Sequence, residues 1–204
     1  MPGIYSAHDA IIGVQGATGG RGGGLRYLLR DEFITDLAAG AVDGTAAEPT
    51  GGNRTVVDTN SKISISGNVL VFATGAVVND GVWWASQSRS VGTVFLAKVT
   101  PSDTNGIIVV GWDSNQSGAI SDSLKFSSGG AIQIVSNGGS AVSVGSYTAT
   151  AYRVAALMRA AGVFWLIKGG AFTNWTLLFI SAAGTGAGYP SIQAGSTTSV
   201  FTAG

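Results

Sequence analysis

The chain has no cysteine, one histidine (His8), four prolines and charge on only 11% of its residues. Without cysteine there is no disulfide framework, thiolate nucleophile or zinc–thiolate site. With His8 so close to the start, the rest of the chain has no imidazole for a Ser-His-Asp arrangement. Acids are also missing from a long stretch. All eleven Asp and Glu lie at or before Asp122, against seven Lys and Arg there. Beyond Asp122 four cations stand without an acid, so the two parts carry −4 and +4 and the whole chain is neutral. No basic footprint of the kind that neutralises many phosphates is present, so no nucleic-acid partner is expected. Long apolar runs are lacking too. The most apolar window, "AGVFWLIKGGAFTNWTLLFIS", is broken by Lys168, Gly169, Gly170 and Asn174, short of the roughly 20 apolar residues of a bilayer span. No membrane span is expected. The opening "MPGIYSAHDAII" has neither a basic n-region nor a sustained apolar stretch, so Sec export is not expected either.

What the chain does have is small and β-branched. Hydrophobic residues make up 45% and glycine 32 of 204 positions, enough apolar matter for a core and far from a disordered composition. Seven of the twelve residues in "GVQGATGGRGGG", Gly13 to Gly24, are glycine. A phosphate loop would need Lys followed by Ser or Thr after its second glycine, and the spacing from Gly16 reaches Arg21 and Gly22 instead. Gly13, Gly16, Gly19 and Gly22 do keep the triplet register of collagen. Four triplets without proline are too few for a triple helix on their own. The run is read as an extended docking arm, with Gly13, Gly16, Gly19, Arg21 and Gly22 as its contact residues.

After the arm, Leu25, Leu28, Leu29, Phe33 and Leu37 recur at helical spacing. The remainder reads as strands. In "KISISGNVLVFAT" Ile63 and Ile65 alternate with polar residues, and Gly67-Asn68 offers a two-residue hairpin turn. "TVFLAKVT", "IIVVGW", "SLKFS", "AIQIV", "VFWLIK" and "WTLLFIS" are each bounded by Gly, Asn, Asp, Ser or Pro. "AYRVAALMRAAG" admits a short helix or a strand, and its alternation favours the strand. Roughly ten to twelve short strands with regular turn signals predict an all-β jelly-roll sandwich of two antiparallel sheets, preceded by the arm. The expected division is 1–30 for the arm and 31–204 for the domain. The expected core is Ile63, Ile65, Phe72, Phe95, Val109, Phe126, Ile134, Trp165, Ile167, Leu177 and Phe179.

The order "DEF", "KISISGNVLVFATG", "GWDSN" and "FWLIKGGAFTNWTLLFIS" resembles the concanavalin A-like lectin/glucanase superfamily, over about Asp31 to Ala203. It is most similar to the laminin-G-like jelly rolls of phage and bacterial surface proteins. "ISGN" and "NWTLL" carry the resemblance. It implies that "DEF" opens the first strand, leaving at most a short helical turn over Leu25 to Arg30.

The chemistry expected of glucanases in that superfamily is a Glu-x-Asp-x-Glu cluster on one strand. The chain has two glutamates, Glu32 and Glu48, in no such motif, so no enzyme activity is expected. Asp113, Asn115 and Ser117 alternate ahead of Gly118 as in a calcium loop, but position twelve is Leu124. A polar hairpin loop is the favoured reading, and neither metal nor cofactor is assigned. Trp83 and Trp84 are adjacent and must face opposite sides of a strand. Trp112 sits beside the polar run Asp113 to Gln116, pairing a flat apolar face with hydrogen-bonding groups. Candidate glycan contacts are therefore Trp84, Trp112, Asp113, Asn115 and Gln116, while Trp165 and Trp175 are assigned to the core.

The functional expectation is a non-enzymatic virion structural protein, a capsid decoration or a tail or fibre component. It would assemble as a homo-oligomer, dock on other virion proteins through its arm and contact host glycans. The alternative is a carbohydrate-binding module of an extracellular bacterial protein.

Overall fold

The computed structural model describes residues 12–17, 25–113, 120–182, 187–196 and 201–203. No α-helix occurs among them. In chain order the strands are β1 (Ile12–Ala17), β2 (Leu25–Asp31), β3 (Pro49–Thr50), β4 (Thr55–Val57), β5 (Ile63–Ser66) and β6 (Val69–Phe72). Next come β7 (Gly81–Trp83), β8 (Val94–Pro101), β9 (Ile107–Asp113), β10 (Ile120–Ser127), β11 (Ala131–Ser136) and β12 (Val142–Ser146). The last five are β13 (Tyr152–Arg159), β14 (Gly162–Gly169), β15 (Phe172–Ser181), β16 (Tyr189–Ser196) and β17 (Phe201–Ala203).

They form two antiparallel sheets packed as a sandwich, as expected. One follows β15-β14-β13-β8-β1-β2-β3, with β17, β6 and β5 attached beside β8, ten strands in all. The other runs β12-β11-β10-β9-β16-β7-β4. Alternation sets the interior. Phe95, Ala97 and Val99 of β8 face Ile108, Val110 and Trp112 of β9 across the core, together with Val154, Ala156, Trp165, Ile167, Leu124 and Phe126. The hairpin at Gly67-Asn68 forms as predicted, with φ of 61° and 63°, and joins β5 to β6 with Ser66 opposite Val69. Tyr152–Arg159 is a strand, paired with β14 and β8.

Three expectations are corrected. Leu25–Asp31 is a strand and not a helical turn, because Arg30 and Asp31 pair with β3 and the whole segment pairs with β1. "DEF" therefore closes a strand and does not open one. Beyond Asp31 the chain turns sharply, with Phe33 at φ 51° and its N–H bonded to the Asp31 carboxylate. Leu177 and Trp175, both assigned to the core, are 49% and 44% exposed on edge strand β15, and Phe179 is only half-buried. The other nine predicted core residues are buried, eight between the sheets and Val109 on the opposite, outward side of β9. Gly13 and Gly16 lie on β1, between β2 and β8. Gly19, Arg21 and Gly22 fall outside the described residues.

One polar knot lies inside the sandwich. Arg54 Nε and Nη2 each donate to Asp31 at 2.6 Å, and Trp84 Nε1 donates to the same carboxylate at 2.9 Å. Both charged groups are essentially fully buried, and the guanidinium stands 5.4 Å from the Phe33 ring centre. A buried ion pair needs this bidentate geometry to offset its desolvation.

Candidate functional site: the outer face of the seven-stranded sheet

Residues 109, 111 and 113 of β9 alternate away from the core, and the facing strands place their partners in register. One cross-strand row runs Trp83, Ser191, Gly111, Ser123 and Val135. The next runs Gln193, Val109, Lys125, Gln133 and Ser143. Asp113 stands at the end of β9 on the same face. Its Oδ2 accepts Trp83 Nε1 at 2.7 Å and Gln193 Nε2 at 2.8 Å. Hydrogen bonds to an ionised acceptor are roughly twice as strong as neutral ones, so the carboxylate locks an indole from β7 and an amide from β16.

Gly81 makes room for this cluster, and Gly111 for the close approach of β10. A Cβ on Gly81 would stand 2.7 Å from Gln193 Cγ, and one on Gly111 would meet the Asp122 carbonyl at 2.3 Å. Ser123 Oγ, on the same face, is buried with no hydrogen-bond partner among the described residues. The face is graded. Trp83, Asp113, Ser191 and Gln193 are buried, Lys125 and Gln133 are half-buried, and Ser143 is exposed. The open end thus presents an ammonium, an amide and a hydroxyl on three adjacent strands about 4.8 Å apart.

Of the predicted contacts, only Asp113 belongs here. Trp112 points into the core, with its ring centre 5.7 Å from that of Phe95, and Trp84 is buried on Asp31. Neither offers a surface to a sugar. The physical reason is parity: Ile108, Val110 and Trp112 share a face, and that face is the interior. Trp83 and Trp84 do face opposite sides as expected, but both are fully buried. Asn115 and Gln116 lie outside the described residues. Trp83, Ser123, Lys125, Gln133 and Gln193 were missed. The signal for Lys125 and Gln133 was their alternation with Leu124, Phe126, Ile132 and Ile134.

Asp122 is the other acid in the strands of this sheet. It sits opposite Trp112 on the inner side, bonded to Arg89 and to the Asn137 N–H. Two-carboxylate glycoside hydrolysis needs both groups flanking one bond, about 5 to 9.5 Å apart. Asp113 and Asp122, on opposite faces of the sheet, do not form that pair.

No family model matches the sequence, and no curated protein matches it. Solved structures do match in fold. A β-1,3-glucanase from Mycobacterium marinum aligns over 87% of this chain and 96% of its own, at TM-score 0.56 and 11% identity. A protein of Mycobacterium tuberculosis described as an immunostimulatory antigen and pseudo β-1,3-glucanase aligns over 85% and 94%, at TM-score 0.51 and 9% identity. A sialidase aligns over 77% of this chain but only 16% of its own length, at TM-score 0.55 and 11% identity. These likenesses establish a glucanase-like sandwich fold. They also overturn two expectations: these three neighbours are described as a glucanase, a pseudo-glucanase and a sialidase, and none of the three is described as a virion component. The assignment to a virion and the assignment as a non-enzyme are both withdrawn.

Proposed function

We propose that the chain is a carbohydrate-directed β-sandwich that lays a glycan across the outer face of its seven-stranded sheet. The observation that carries this is the row Gln193–Val109–Lys125–Gln133–Ser143, polar except for Val109 and running from a buried anchor to an open end. Sugars present hydroxyls around apolar C–H faces, and a flat row of amide, ammonium and hydroxyl groups matches that pattern. Asp113 holds the closed end rigid through Trp83 and Gln193, so the row starts from a fixed point. The names of the fold neighbours support the same substrate class.

The test is a glycan array that includes β-1,3-glucans and sialylated glycans, followed by titration of the best hit. Lys125→Ala with Gln133→Ala should weaken binding about tenfold, the loss of two hydrogen bonds of about 0.5–1.5 kcal/mol each. Sugar release from the same hit, measured in parallel, reports whether the site also hydrolyses it. An array with no hit removes the proposal.

A further inference from the structure

Lys125 stands in the middle of the outer face of the seven-stranded sheet, flanked in register by Val109 on β9 and Gln133 on β11. Gly111, Val135 and Ala131 lie diagonally across the neighbouring strands, and Ser123 and Ser127 lie two residues either way along β10. None of these side chains is charged. The seven strands together contain three charged residues, Asp113, Asp122 and Lys125. Asp122 is on the inner side, bonded to Arg89. Asp113 is four residues along β9 from Val109, about 13 Å at strand spacing. That exceeds the Debye length of about 8–10 Å in physiological salt.

Other cations of the chain are treated differently. Arg30, Arg54 and Arg89 each face a carboxylate. Lys125 is half-buried, and no carboxylate among the described residues pairs with its ammonium. Residues 114–119, which join β9 to β10, hold no Asp or Glu either. Taking water from an ammonium without supplying an acid costs free energy. A ligand that brings the acid recovers it through a charge-assisted hydrogen bond, roughly twice as strong as a neutral one.

We propose that the glycan on this face is acidic, with the carboxylate or sulfate of one sugar unit seated on the Lys125 ammonium. The proposal rests on the glycan site described above and narrows its ligand to anionic sugars. Gln133 beside Lys125 and Ser127 beyond it supply an amide and a hydroxyl for the ring hydroxyls of the same unit. One cation takes one anion. A nucleic acid or other polyphosphate would need several cations, whereas the neutral side chains around Lys125 suit uncharged sugar units on either side.

The test titrates the full chain by calorimetry with oligosaccharides of three backbones: β-1,3-glucan, β-1,4-glucan and α-1,4-galactan. Each is used in neutral, 6-carboxylated and 6-sulfated form. On at least one backbone an acidic form should bind about tenfold more tightly than its neutral parent, and the two acidic arms decide between carboxylate and sulfate. Lys125→Gln should bring that form down to the affinity of the neutral parent, with the parent's own affinity and the melting temperature unchanged. Lys125→Arg should keep the preference. Neutral forms that bind as tightly as acidic ones would overturn the proposal and leave the glycan site standing. An acidic preference that survives Lys125→Gln overturns it as well. Loss of that preference in Lys98→Ala/Lys168→Ala instead would move the ligand to the ten-stranded sheet and remove the site too, as would no binding of any form.

Discussion

Along the seven-stranded sheet, the outward row Gln193–Val109–Lys125–Gln133–Ser143 is mostly polar and is anchored by an acid. Along the ten-stranded sheet, the outward row Leu96–Ala155–Leu166–Leu177 is apolar, with Lys98, Arg153 and Lys168 in register two residues along β8, β13 and β14. The two faces cover one shared core, and each strand contributes to core and face through alternate residues. The difference teaches that the fold alone does not set surface chemistry. It is set by the odd or even positions that point outward. The acid-free stretch after Asp122 supplies β13, β14 and β15, which is why those three strands carry no carboxylate.

The comparison can be broken first at its common base. Trp165→Ala empties a fully buried site and should cost about 3–5 kcal/mol, read as a lower denaturation midpoint. Arg54→Ala should cost a similar amount, because it leaves the Asp31 carboxylate buried without its ion-pair partner. Both losses should be global. Asp113→Asn should cost less, about 1–3 kcal/mol, through the weakened bonds to Trp83 and Gln193. It should reduce glycan binding without changing the apolar face. Trp175→Ala should change stability by no more than about 0.5 kcal/mol, in sharp contrast to Trp165, although the two tryptophans read alike in sequence.

The smallest effect is a pH dependence at the sandwich edge. The Thr35 N–H, helped by the Thr35 hydroxyl and by Arg54, holds Glu48 below its ordinary value of 4.5, against desolvation. A depressed carboxylate stabilises the fold above the unfolded value, and that contribution fades as pH falls through the folded one. Wild type should therefore be slightly more stable than Glu48→Gln near neutrality. The gap should narrow as pH drops below about 4.5, as followed by thermal melts.

Much of the fold was legible because strand alternation and turn chemistry are local. Ile63 and Ile65, the Gly67-Asn68 hairpin and the β13 alternation all read correctly. What failed depended on distant partners. The leucines of Leu25–Asp31 fit helical spacing, and only pairing with β1 and β3 makes them a strand. "WTLLFIS" reads as a buried strand, but β15 is an edge, and nothing in seven residues distinguishes an edge from a centre. Alternation separated Trp83 from Trp84 and Trp112 from Asp113 without saying which side was the interior. That side is decided when two sheets meet, and the Asp113–Gln193 contact spans 80 residues.

The most direct test of the account is titration of the strongest array glycan into two surface variants of matched stability. Lys125→Ala/Gln133→Ala alters the seven-stranded face, and Lys98→Ala/Lys168→Ala alters the ten-stranded one. The account predicts about tenfold weaker binding for the first pair and unchanged binding for the second. Loss of binding in the second pair alone would place the glycan on the opposite face and contradict it.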